Sequence, residues 1–174
     1  VVNFASKDEM RAYIGDIYRV NIEAFKDAPE FVPYTEEEFR AMAEGLLTIL
    51  EPGLPKIIKA GDAVIGFVIA YPDISDGIRK AKGRLLPFGW YHILRAQKTT
   101  TNLVLNGVGI IPKYQGSGAN AVLYSEMNKI REQYPRFLTA DNLQVADYNL
   151  RSYTDMSSVG THWGITHRVY KQDL

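Results

Sequence analysis

Apolar residues recur at helical spacing twice near the start of the chain. Met10, Tyr13, Ile14, Ile17, Tyr18 and Ile22 mark one face of a helix over about Lys7 to Phe25. Ser6 with Glu9 is a capping-box start, and Pro29 and Pro33 end the run. Thr35 with Glu38 opens a second amphipathic helix, with Phe39, Met42, Leu46, Leu47 and Leu50 on its apolar side and "EPGLP" as its stop. The pattern then turns to β. "KIIKA", a turn at Gly61 and Asp62, and "AVIGFVIAY" place β-branched residues on both arms of a hairpin. From Pro72 to Thr100 it is irregular, with "PDISDG" as a loop and "RLLPFGWYHILRAQK" as a short amphipathic helix interrupted by Pro87 and Gly89. "TNLVLNGVGII" follows as a strand. "GANAVLYSEMNKIREQY" is a helix with Ala121, Leu123, Tyr124, Met127, Ile130 and Tyr134 facing inward, and "RFLTADNLQV" is the next strand. Asp147 is expected to cap a helix to about Ser158, and "GITHRVYKQ" alternates as a last strand.

Strand, helix, strand in the second half predicts a parallel pair joined by a right-handed crossover. With the antiparallel hairpin, the sheet is mixed and the class is α/β (α+β). A length of 174 residues suits a single domain over 1–174, and the 46% hydrophobic and 23% charged content suits a globular chain. Val1 rather than Met at the start points to processing, trimming or a piece of a longer protein. Twenty basic and twenty acidic residues without a like-charged block favour neither nucleic acid nor anionic lipid as partner. The longest apolar run, Ala63 to Tyr71, falls well short of the roughly 20 residues of a membrane-spanning helix, so no membrane contact is expected. The absence of cysteine excludes disulfides and thiolate metal sites; cytoplasm is the default location.

"IIPKYQGSGANAVLY", Ile110 to Tyr124, places Gln115, Gly116, Ser117 and Gly118 where an apolar strand meets a helix. Glycines there let a ligand approach the backbone, and a first helical turn offers amides suited to phosphate. The same residues also suit a plain tight turn with Ser117 as cap. No lysine follows the second glycine as a P-loop requires, and the three-glycine dinucleotide pattern is incomplete. Asn106 and Gly107 could turn a hairpin, but its arms would be only about three residues. A continuous strand bulged at Gly107 or Gly109 is the better reading.

The segment "GVGIIPKYQGSGANAVLYSEM" resembles the acetyl-CoA-binding motif of the GNAT acyltransferase superfamily, through Ile110, Pro112, Gln115, Gly118 and Asn120. Asn120 departs from the glycine or alanine usual there. Asn149 and Gly160, eleven residues apart, resemble the family's pantetheine-contacting asparagine and the glycine ending that helix. The resemblance implies a GNAT-like fold, a mixed sheet of about six to seven strands flanked by about four helices. It implies acetyl-CoA as donor substrate, an unidentified small or amino-acid-like amine as acceptor, and direct N-acyl transfer. The strand from Val108 through Ile110 to Ile111 would splay from "RFLTADNLQV" and pair with pantetheine amides. The pyrophosphate would rest on the amides of Gln115, Gly116, Ser117, Gly118, Ala119 and Asn120.

Both usual proton carriers of that family are absent. "TNLVLNGVGII" has no glutamate, and Met156 stands where a tyrosine is common. Tyr153, one helical turn from both Asn149 and Met156, is the candidate proton donor, against a packed tyrosine. Asp141 and Asn142 suit orientation of water or substrate, or loop capping. No metal is expected, because His92, His162 and His167 have no partner at metal-ligand spacing; His92 is the one placed to line an acceptor pocket. Phe88, Trp90 and Tyr91 are expected to bury against the core or to form a homodimer contact. A noncatalytic CoA-binding module is the competing function.

Overall fold

The Thr35 hydroxyl accepts from the Glu38 amide at 3.2 Å, and the Glu38 carboxylate returns to the Thr35 amide at 2.8 Å. This capping box starts a helix where the sequence places one. In this computed structural model, which describes residues 1–29, 31–142, 144–168 and 170, the chain divides into two units, Val1–Leu143 and Gln144–Leu174.

The first unit runs β1 (Val2–Asn3), α1 (Lys7–Ala12), α2 (Ile14–Phe25), α3 (Glu36–Leu47), β2 (Lys56–Ala60), β3 (Ala63–Pro72), α4 (Ser75–Ala81), α5 (Gly89–Thr99), β4 (Asn102–Ile110), α6 (Ala119–Gln133) and β5 (Thr139–Asn142). A short 3-10 turn at Pro112–Tyr114 precedes α6. The described strands form one five-stranded sheet in the order β1-β2-β3-β4-β5, fewer than the family resemblance implied. All neighbours are antiparallel except β4 and β5, which are parallel across α6, as the strand-helix-strand pattern requires.

Helices cover both faces. Ile57, Val64 and Phe67 pack with Met10, Ile14, Val20 and Leu47 of α1 to α3. Ile58, Val68 and Ile110 meet Ala119 and Leu123 of α6, and Ile130 packs with Ala70 and Leu103. Alternation along β2 therefore sends Ile57 to one layer and Ile58 to the other. Lys56, on the same strand, is buried, and its Nζ donates to Asn3 Oδ1 at 2.7 Å.

Several local expectations change. The first helix breaks at Tyr13, whose amide bonds back to Met10 and Arg11 carbonyls and closes α1. "PDISDG" is not all loop, because Ser75 begins α4, stabilised by the Ser75 amide on Asp73 Oδ1 at 2.8 Å. Met42 and Ala121 point to solvent, and Ala119 takes the buried place in the first turn of α6. Phe88, Trp90 and Tyr91 are exposed rather than core.

The second unit contains α7 (Leu150–Ser158). Asn149, not Asp147, caps it, its Oδ1 accepting from the Ser152 amide at 3.1 Å. Gly160 (φ +83°) ends it, with the Gly160 amide on Ser157 O and the Thr161 amide on Met156 O, a Schellman closure that requires the left-handed conformation. Residues 164–168 and 170 form no strand, and the rest of "GITHRVYKQ" lies outside the described residues, as does Leu143 in "RFLTADNLQV". No described helix is long and apolar enough to cross a membrane.

Candidate functional site

The strand that leads into the glycine turn is continuous through Asn106 and Gly107. Ile69 pairs with Gly107 but Ala70 pairs with Leu105, so Asn106 is the extra residue of a bulge. The chain therefore bends within β4. On the other side of β4, pairing with β5 covers Asn102 to Leu105 and, among the described residues, goes no further. From Asn106 to Ile110 that edge has no strand partner among them, while the β3 side stays paired through Gly66 and Ile110.

Beyond Ile110 the backbone is held by its own turn. The Ile111 amide donates to Ile65 O, Tyr114 to Ile111 O and Gln115 to Pro112 O. Gln115 Nε2 donates to Ile110 O at 3.0 Å, tying the turn to the strand end, and Ser117 Oγ donates to Tyr114 O. Gly116 and Gly118 have φ +76° and +88°, and a Cβ at either would meet nothing within 4 Å. Backbone conformation rather than crowding demands glycine at both, and the surface beside them stays open. Gly118 is the N-cap of α6, so the first-turn amides of a 15-residue helix emerge there. Ser117 is thus not a side-chain cap, and its amide and that of Gln115 donate within the turn.

Among the described residues, Val108 and Ile110 lie on the part of β4 beyond the β5 pairing, and Ile111 and the Gln115–Asn120 stretch follow as turn and helix start. This arrangement suits an extended ligand with amides at one end and phosphates at the other.

Asn149 and Tyr153 belong to the second unit. The Tyr153 ring stacks on Trp163 with centroids 4.6 Å apart and planes 8° apart. Ring contact across ten residues of loop and helix carries no periodic signal, so the sequence reading missed it.

A polar junction at the start of β4 also escaped the sequence. Asn102 Nδ2 donates to Asp141 Oδ2 at 2.7 Å and to Asp73 Oδ2 at 3.4 Å, while Thr139 Oγ1 donates to Asn102 Oδ1 at 2.8 Å. Burial pushes the Asp73 carboxyl up, but hydrogen bonds from Ser75 and Asn102, with the Arg79 charge, hold it below the usual range. Burial, aided by Asp73, raises the Tyr71 phenol. Asp73 and Asn102 share a cleft of about 640 Å³ with His92, Arg95 and Thr100. Asp73 adjoins the start of β4, about 13 Å of strand from Asn106, whereas Asp141 stands opposite Val104, two residues before the bulge. Among the described residues no group of three or more His, Cys, Asp or Glu could hold a metal.

The described architecture matches solved acetyltransferases along most of its length. A possible acetyltransferase from Clostridium difficile superposes with TM-score 0.62 at 14% identity, covering 94% of this chain and 93% of that one. An aminoglycoside N-acetyltransferase in complex with CoA gives 0.57 at 13%, over 94% and 91%. A GNAT family acetyltransferase from Brucella melitensis in complex with acetyl-CoA gives 0.52 at 17%, over 81% and 75%. The chain has the GNAT fold. No family model matches the chain. In sequence it is 27% identical to a bacterial ceramide synthase of Caulobacter vibrioides over 159 residues, 87% of this chain and 41% of that protein. It is 31% identical to protein YghO of Escherichia coli over 97 residues, 53% of this chain and 24% of that one. The chain spans less than half the length of either relative.

Proposed function

We propose that this chain is an acyl-CoA-dependent N-acyltransferase, with acetyl-CoA as the first donor to test. The observation that carries the reading is the strand edge from Asn106 to Ile110, without a β5 partner among the described residues and followed by the left-handed Gly116 and Gly118. Backbone groups of Val108 and Ile110 pair with pantetheine amides as an added strand would, while the Ile111 amide, held by Ile65 O, anchors the strand end beside them. Because Gln115 and Ser117 use their amides within the turn, the pyrophosphate falls chiefly to Gly116, Gly118 and Ala119, with Asn120 beside them. Asn149 is assigned to pantetheine and Tyr153 to proton donation.

The chemistry asks little of the protein, because a thioester is already activated. The amine nitrogen attacks the carbonyl carbon; the C–N bond forms and the C–S bond breaks. The amine proton passes to water, since β4 brings no carboxylate to the bulge, and Tyr153 protonates the departing thiolate. The acceptor must arrive uncharged.

The acceptor is a small or amino-acid-like amine in this reading, and the reaction lies in the cytoplasm with the acyl-CoA pool. The likeness to a ceramide synthase over 87% of the chain favours a second acceptor class, a long-chain amino alcohol, because a ceramide is an N-acylated amino alcohol. Thiol release from acetyl-CoA and longer acyl-CoAs, followed across both amine classes, tests the assignment. Release with one class names the acceptor. CoA binding without release from any pair would make the chain a noncatalytic CoA-binding module. Tyr153→Phe is expected to lower kcat by about tenfold or more while leaving the CoA dissociation constant unchanged. An unchanged kcat would return Tyr153 to a packing role against Trp163.

A further inference from the structure

The insertion between β3 and β4 shows an arrangement that the donor site does not use. Helices α4 and α5 meet through small residues: a Cβ on Gly77 would lie 2.7 Å from His92 O and 2.9 Å from Ala96 Cβ. One on Gly89 would collide with the Arg84 carbonyl. Backbones this close leave no interior for large side chains, and residues 82–88 between the helices are all exposed. Leu86 is 78% exposed, Phe88 68% and Leu85 63%. Trp90, Tyr91 and Leu94 continue the apolar surface along the outer face of α5, where Arg95 and Lys98 follow at helical spacing.

Charge on this hairpin is as one-sided as its apolarity. Between Ile74 and Thr100 stand Arg79, Lys80, Lys82, Arg84, Arg95 and Lys98; the acids beside them are Asp76, paired with Arg79, and Asp73 just before α4. The even balance of the whole chain conceals this cluster. Exposed leucines and aromatics ringed by cations are the composition of a segment that lies in a lipid interface. The Trp90 indole N–H already donates to Pro87 O at 3.0 Å, so the ring can leave water without an unpaired donor. A second copy placed on the same face would bring like-charged cations together, and an anionic lipid surface supplies the missing charge.

We infer that the α4–α5 hairpin docks this protein on an anionic phospholipid surface, Leu85, Leu86, Phe88 and Trp90 entering the headgroup boundary and the surrounding cations facing lipid phosphates. None of these residues belongs to the proposed donor site, so the inference stands or falls apart from N-acyl transfer.

Flotation of the full chain with vesicles of phosphatidylcholine, or of an equal mixture of phosphatidylcholine and phosphatidylglycerol, tests it. Binding is expected to the mixed vesicles alone, weakening as salt rises. Leu86→Ser with Phe88→Ser should abolish it, and Lys82→Glu with Arg84→Glu should weaken it more than about tenfold. All four positions are exposed, so melting temperatures should match the wild type. Arg131→Glu, on the exposed face of α6, should bind as wild type. No binding to mixed vesicles, or binding that ignores these substitutions, would overturn the inference. So would a dimer in sedimentation that Leu86→Ser with Phe88→Ser converts to monomer, which would give the face to a second copy.

Discussion

Gly118 holds φ +88° at the start of α6, where a β-branched residue is strongly disfavoured. Gly118→Val is expected to cost about 1–2 kcal/mol in chemical denaturation, since the left-handed conformation is strained for L-residues. An unchanged midpoint would mean the turn can re-form around a side chain. Lys56 is the other residue whose position costs stability. Burial lowers its ammonium pKa, with Glu126 opposing and Lys129 adding to the fall. Between that lowered value and the ordinary Lys pKa, the unfolded chain binds more protons than the folded one. Its contribution to stability therefore rises with pH across that interval and is lost as pH falls through the folded value. Lys56→Met should flatten stability over that alkaline range and add about 1 kcal/mol at neutral pH, because Asn3 is exposed and can turn its oxygen to water. Denaturation midpoints measured against pH for both proteins check this. Gly116, Gly118 and Gly160 were legible in the sequence because their chemistry is local. The Asn102 junction was not, since Asp73, just past β3, and Asp141, on β5, reach it from distant parts of the chain.

Local chemistry also explains which elements could be read in advance. The Ser6 cap, the Thr35 box, the Gly61 turn and the strand-to-helix passage into α6 each carry their own start or stop signal. Thr35→Ala removes the hydroxyl that caps α3 and should cost about 1 kcal/mol without changing acetyl-CoA binding, read by thermal melting and titration. A loss of binding would couple α3 to the donor site. Helix α4 was hidden because "SDG" at its start is turn composition. What makes it a helix is packing on α5 at Gly77, a contact between positions that no periodic pattern joins. The end of α1 at Tyr13 was hidden for the opposite reason: apolar spacing continues through it while the backbone closes one helix and opens another.

At the scale of the molecule, the parallel pair of β4 and β5 was predictable from the strand-helix-strand order, whereas the bulge expected at Gly107 or Gly109 has Asn106 as its extra residue. Among the described residues the pairing of β4 with β5 covers the first four residues of β4, and the proposed ligand edge is the stretch beyond it. Even charge over the whole chain conceals the six cations of the α4–α5 hairpin, which are offset elsewhere. The central claim is that the surface from Val108 to Asn120 takes an acyl-CoA. Calorimetric titration of acetyl-CoA into the protein tests it most directly, repeated with Gly118→Val under conditions where that variant is folded. The account predicts saturable binding to the wild type and a loss of more than about tenfold in the variant, since the phosphate turn would be distorted. No heat of binding to the wild type at about millimolar ligand, or equal affinity in both proteins, would contradict it.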